Sequence, residues 1–318
     1  MKQHAWRAVV ATALLTVPLA THSDFVLTIF VFSYLQGMLA VSLNLIFGFA
    51  GQLSMFHAAA FGIGAYATHL FMQHLGIAYW SATVVAAALV ATVSIVVGAI
   101  CFRFRLREFY FAVVTLAFSE IARLTVLNWN SMTNGSLGIN LQEKPPFWLP
   151  GTGIVRIEST LAWYYLSLAA VGVTLLVCWR MVHSWMGRSF AAIRMNDELG
   201  DTLGINVFRY KLIAFTAGSV MAAIAGSLYA YFLGSIEPGF LSIEQSLGII
   251  AMVLLGGRNA VAAPVVGAFV LTTLPHLIHF SAEIRSIVYG SILIFTILVM
   301  PQGIYGTLWE LLRRRHAA

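Results

Sequence analysis

Charge is what this sequence has least of. Asp, Glu, Lys and Arg make up 9% of its 318 residues, against about 25% in ordinary soluble domains. Hydrophobic residues make up 60%, and mean hydropathy is +0.86. That balance excludes a soluble globular protein. Cysteine is nearly absent: Cys101 and Cys178 each close an apolar block just before Arg103 or Arg180. They are expected to be free, packed thiols near a reducing cytosolic face, with no disulfide. Enzyme signatures are missing too. There is no H-E-x-x-H, no G-x-S-x-G and no cysteine–histidine metal spacing, so no catalytic residue, metal or cofactor is expected. G-x-x-x-x-G-K-[ST] is also absent, so any ATP dependence must come from another polypeptide.

What is present is long apolar runs. They fall at Ala8–Ala20, Phe25–Phe47, Leu53–Leu75, Ser81–Cys101, Phe109–Leu127, Leu161–Trp179, Leu212–Leu233, Leu247–Leu255, Val261–Ile278 and Ile287–Tyr305. Most approach the ~20 residues that cross a hydrocarbon core of about 30 Å. Alternating segments of about 10 residues, the mark of an outer-membrane barrel, do not occur. The fold class is therefore an all-α polytopic membrane protein, one transmembrane domain over residues 1–318. About eight to ten helices are expected, some short or broken. Leu247–Leu255 is too short to cross alone, which predicts a short helix and a kink at "GGRNA". The first block also fits a signal peptide, with its basic start and small residues after Pro18.

Net charge is +6 with a pI near 9.5, but the basic residues sit at block ends, so no nucleic-acid partner is expected. If the N-terminus is cytosolic and all ten blocks cross, 14 Lys and Arg fall in inside loops. Only Lys144, Arg156 and Arg285 fall outside, and Arg123 lies within a block. This bias predicts both termini inside. It makes 128–160 an external, periplasmic loop and 180–211 a cytoplasmic one. Trp129, Trp148 and three prolines predict an ordered cap for the external loop.

Three stretches carry candidate chemistry. "NLIFGFAGQLSMFHAAAFGIGAYA" sets Asn44, Gln52, Ser54 and His57 among glycines that allow either a helix break or close helix approach. These four are candidate translocation-pathway residues, because broken helices at mid-membrane depth can offer backbone groups to a solute. The other reading is plain helix packing. In "TLAFSEIARL", Glu120 and Arg123 share a helix face and are expected to form an intramembrane ion pair, more a structural device than a functional one. "AFTAGSVMAAIAGSLYA" places Ala214, Gly218, Ala222 and Gly226 in one small-residue stripe for close packing.

The stretch "MGRSFAAIRMNDELGDTLGINVFRYK" breaks the pattern, holding seven charges of both signs. Ser189–Met195 and Asp197–Leu203 are expected to be helical turns separated by Asn196 and closed by Gly204. The element is too short and too evenly charged to anchor in lipid. It reads as a docking helix for a cytosolic protein, with a solvated connecting loop as the alternative.

Together with "RLREFYFAVVTLAFSEIARL", "TNGSLGI" and "LGGRNAVAAPVVGA", these stretches resemble the permease subunits of branched-chain amino acid ABC transporters from about Val41 to Pro275. The likeness is to the longer of the two permeases. It implies ABC importer permease architecture in a bacterial inner membrane. The partners implied are a second homologous permease, two cytosolic ABC ATPase subunits, a periplasmic substrate-binding protein and the lipid bilayer. It implies that the internal loop inserts into the ATPase as a coupling helix, with Ala191, Ala192, Arg194, Asp197, Glu198 and Gly204 as the docking residues. The ATPase would then move this helix and, through the sixth and seventh blocks, the pathway. Branched-chain amino acids, or related small amide- and urea-type solutes, are the implied cargo. The sequence departs from the family pattern at Phe56, Leu137, Leu199, Gly200, Asp201, Asn259, Ala263 and His276. An ion-coupled secondary transporter is the competing reading.

Overall fold

The computed structural model describes residues 14–18, 21, 23–106, 108–141, 146–149, 153–156, 159–278, 290–291, 294 and 303–307. Most of the first and tenth apolar blocks, and the His276 side chain, lie outside the described residues.

Helix α1 (Asp24–Asn44) runs without interruption into a single π turn, Leu45–Phe49. After six intervening residues comes α2 (Phe56–Leu75), which ends at Gly76, whose left-handed backbone stops the helix. Then come α3 (Tyr79–Arg103), α4 (Glu108–Asn128) and the single turn α5 (Asn130–Thr133). Strands β1 (Ile139–Asn140), β2 (Pro146–Leu149) and β3 (Gly153–Arg156) lead to α6 (Thr160–Val182). Two short helices follow, α7 (Trp185–Met195) and α8 (Asp197–Thr202), before the long α9 (Val207–Leu233). Strand β4 (Ser235–Ile236), α10 (Ile243–Gly256) and α11 (Ala263–Ile278) complete the order.

Five of these helices, including α1 with its π turn, are long and apolar enough to cross a membrane. Helix α2 matches them in length but carries His57, His69 and His74, and α10 and α11 are shorter apolar helices. The 14 residues of α10 span only about 21 Å at 1.5 Å each. A non-helical stretch at Gly257 follows, so the short helix and kink expected at "GGRNA" are present.

Helix α9 is the centre of the bundle, packed on α1, α2 and α3, while α1 also carries α6 and α11. The small-residue stripe explains this. Ala214, Gly218, Ala222 and Gly226 are all buried. A Cβ at Gly226 would overlap the Phe61 carbonyl of α2, and one at Gly64 of α2 would overlap Ala223 of α9. The two backbones therefore touch, which only small residues permit. Gly62 and Gly64 thus serve packing, whereas Gly48 and Gly51 serve the break described below. Cys101 and Cys178 are free and buried.

The strands are a departure from a purely helical reading, and all lie in loops. β2 and β3 form a hairpin inside the 128–160 segment. β1 pairs with β4, Ile139 opposite Ile236, tying that segment to the turn after α9. The start of the segment expected to form a cap is thus hydrogen-bonded to the bundle end.

Candidate functional site

The charged stretch folds as three capped steps. Ser184 caps α7 by accepting the Met186 N–H at 3.1 Å. The helix starts earlier than Ser189, because its residues from Trp185 onward already have this cap. Asn196 ends α7 in extended conformation and caps α8, accepting the Glu198 N–H at 2.8 Å. Asn206 caps α9 through the Arg209 N–H at 3.0 Å. Gly204, at φ +75°, closes α8: its N–H bonds Asp201 O and the Ile205 N–H bonds Gly200 O, both at 3.0 Å. This is a Schellman arrangement. Each cap satisfies a helix-end N–H or C=O that would otherwise be orphaned.

The two helices have distinct faces. Phe190, Ile193 and Gly200 are buried inward. Asp197 accepts a bond from the Lys211 ammonium of α9, and Lys211 is 3% exposed. Asp201 pairs with Arg105 after α3 at 3.1 Å, in an exposed bridge. Outward lie Ala191, Glu198 and the large apolar Met195, Leu199 and Leu203, with Ala192 half-buried. Arg188 lies over the Trp185 ring at 4.6 Å on the same solvent side. Met195 was missed from sequence because periodicity alone does not say which apolar residues of a short helix face the bundle.

Arg194 behaves differently from its neighbours. Gly51 sits against its Cα and side-chain stem: a Cβ there would come within 3.1–3.2 Å of them. Its Nη2 donates to Asn259 Oδ1 at 3.3 Å. Partial burial first, and then the nearby Arg258 charge, hold its guanidinium below the ordinary range. It stays a cation at neutral pH regardless.

Gly51 and Asn259 belong to the two helix breaks. The first follows the π turn. Its Gln52 N–H returns to Ile46 O at 3.0 Å. Thr115 of α4 accepts the Met55 N–H at 3.1 Å, and Ser246 of α10 donates to Met55 O at 3.1 Å. Ser54 Oγ accepts the Phe56 N–H that opens α2 and pairs with His57 Nδ1, each at 3.2 Å. Asn44 Nδ2 donates to Ala260 O in the second break at 3.2 Å. A Cβ on Gly48 would fall 2.6 Å from Arg258 O, and the Arg258 guanidinium lies 5.8 Å above the Phe47 ring.

All four candidate pathway residues, Asn44, Gln52, Ser54 and His57, are buried within this chain. Asn44 Oδ1 and Gln52 Oε1 have no hydrogen-bond partner among the described residues. The 26 residues from Asp24 to Phe49 amount to about 39 Å of helix before this break, and its π turn packs against α7. Glu120 and Arg123 do pair, with Arg123 Nε to Glu120 Oε2 at 2.9 Å and a second bond from Nη2 to Oε1. Among the described residues no group of acids, histidines and cysteines could hold a metal.

Membrane-length helices, with two helix breaks gathered under a capped, charged helix pair, define a multi-pass helical membrane protein. Comparison with known proteins specifies which. The model of the branched-chain amino acid transport system / permease component family matches residues 25–297, and the chain belongs to that family. It is similar to the high-affinity branched-chain amino acid transport system permease protein LivM of Escherichia coli (strain K12). Identity is 28% over 287 residues, 84% of this chain and 67% of that protein. LivH of Salmonella typhimurium is 25% identical over 288 residues, covering 85% and 90%. A probable LivM of Methanocaldococcus jannaschii is 26% identical over 269 residues, covering 74% and 76%. An ion-coupled secondary transporter is not favoured by these relatives.

Proposed function

We propose that the chain is the membrane-spanning permease of an ABC importer of branched-chain amino acids or related small amide- and urea-type solutes. It works in the bacterial inner membrane with both termini cytosolic. A second homologous permease, two cytosolic ATPases and a periplasmic binding protein complete the machine. One observation carries the reading: a chain with no P-loop presents, on its basic side, a capped helix pair with large apolar side chains turned to solvent. Exposed apolar residues grouped on a rigid charged element mark a protein contact. The docking face comprises Ala191, Ala192, Met195, Glu198, Leu199 and Leu203, and Gly204 fixes its exit. Asp197 and Arg194 hold the pair on the bundle. Asn44, Gln52, Ser54 and His57 serve the pathway from behind, by shaping the break whose movement opens and closes it.

The test is co-purification from native membranes. An ATPase and a second permease are expected to travel with the chain, and a binding protein is expected to stimulate ATP hydrolysis by the complex. A chain that purifies without any ATPase, from membranes in which it is functional, would overturn the reading.

A further inference from the structure

The helix pair reaches the bundle by an additional route besides its covalent links to α6 and α9. We infer that Arg194 is a positioning residue that ties α7 to both helix breaks, so that displacement of α7 moves them directly. The inference deepens the permease reading and rests on it for the source of that displacement.

Three features bring the parts together. Helix α7 lies against the π turn Leu45–Phe49 as well as against α9. Gly51, held at φ +74°, leaves its Cα surface bare for the Arg194 stem, at a spacing that a methyl group would fill. Beyond that contact the guanidinium reaches Asn259 Oδ1 in the second break. A single side chain on α7 thus meets the loops after α1 and after α10, which are 208 positions apart. The two breaks are already fastened to each other by Asn44 and Ala260, and Arg258 lies over Phe47. A push on α7 therefore acts on a joint, whose outlets are α1, α2, α10 and α11. Packed contacts of this kind transmit displacement because interiors deform little. A surface arginine docking only to an ATPase would need neither the bare glycine nor the asparagine.

The test uses Arg194→Ala, Asn259→Ala, the double variant and Asn259→Asp, which keeps an acceptor for the guanidinium. In the purified permease, hydrogen–deuterium exchange across residues 186–196 is compared with wild type. Either alanine variant is expected to exchange several-fold faster, roughly threefold to tenfold for one solvent-exposed hydrogen bond. The double variant is expected to be no faster than R194A, and N259D to match wild type. This arm needs no ATPase or solute, so it separates failure of the tie from failure of the permease assignment. In the reconstituted complex, R194A and N259A are expected to hydrolyse ATP while taking up several-fold less solute per ATP. N259D is expected to restore that ratio. If N259A matches wild type in both exchange and uptake per ATP, the tie is overturned. If R194A instead loses the ATPase subunits on purification, Arg194 is a docking residue and the inference fails equally.

Discussion

Lys211, the fifth residue of the membrane-length helix α9, points its ammonium at Asp197 across the α8–α9 junction, and the lysine is buried while the aspartate is half in solvent. The two halves of this pair are therefore unequal. Removing Asp197 strands a buried cation, whereas removing Lys211 frees a carboxylate that water already reaches. Asp197→Ala is expected to destabilise the purified chain by about 2–3 kcal/mol, and Lys211→Met by about 1 kcal/mol or less. Thermal unfolding in detergent reads the difference. Equal losses would show that the pair is not anchored by the burial of Lys211.

The outward face of α7 and α8 makes a second prediction. Leu199 is 43% exposed and Met195 81% exposed, while Gly200 is buried and Asp201 bonds Arg105. In the segment "LGD", Leu199 is thus the residue that reaches the proposed docking face. Leu199→Glu, or reversal of charge at Glu198, is expected to leave the chain inserted and folded but to weaken ATPase retention at least tenfold, as for a lost interface anchor of about 1.4 kcal/mol or more. Ala192 replaced by a bulky residue is expected to do the same. Pull-down of ATPase from a mixed lysate of co-expressing cells measures it, and normal retention in all three would move the docking face elsewhere.

Glu120 and Arg123 give a third. Side chains on a helix lean toward its N-terminus, and Arg123 follows this by reaching back one turn to Glu120. If α4 runs outward as the charge distribution predicts, the guanidinium is drawn toward the membrane interior instead of snorkelling to the surface. Helix α4 is also the least buried of the five long spans. Glu120→Gln alone is expected to cost about 2–3 kcal/mol by leaving one charge unpaired, and Glu120→Gln with Arg123→Gln to recover most of it. Membrane-inserted yield and melting temperature of the three variants decide the matter. A double variant as unstable as the single one would mean that the carboxylate has a partner other than Arg123.

A fourth concerns the core. Gly226→Ala places a methyl group on the Phe61 backbone, where neither helix can yield without moving the bundle. A loss of about 2–3 kcal/mol is expected from this overpacking, seen as a lower melting temperature. Gly172→Ala on α6, with open space around it, should be neutral or slightly stabilising as a helix substitution. Similar behaviour of the two would argue against close contact of α2 and α9.

Much of this architecture is legible in the sequence, for physical reasons. Helix class follows from apolar length, and the α9 stripe from small residues four apart. Asn196 and Gly204 sit where the helix pair needs a cap and a left-handed closure. The kink at "GGRNA" follows from a block too short to cross. Direction is what the sequence conceals. A short helix with apolar residues on several sides does not announce that Ile193 turns inward while Met195 and Leu199 turn outward. Nor does spacing reveal that Arg194 leans on Gly51, because that contact joins distant parts of the chain.

The central claim is that ATP, hydrolysed by separate subunits gripping α7 and α8, drives a solute through this chain. The most direct measurement is uptake of radiolabelled leucine into proteoliposomes that hold the whole complex, with the binding protein outside the compartment that receives the solute and ATP on the ATPase side. The account predicts uptake that requires ATP, the ATPase subunits and the binding protein together, and that collapses in Leu199→Glu while the complex lacking nothing else remains inserted. Uptake by this chain alone, driven by a proton or sodium gradient and indifferent to ATP, would contradict it.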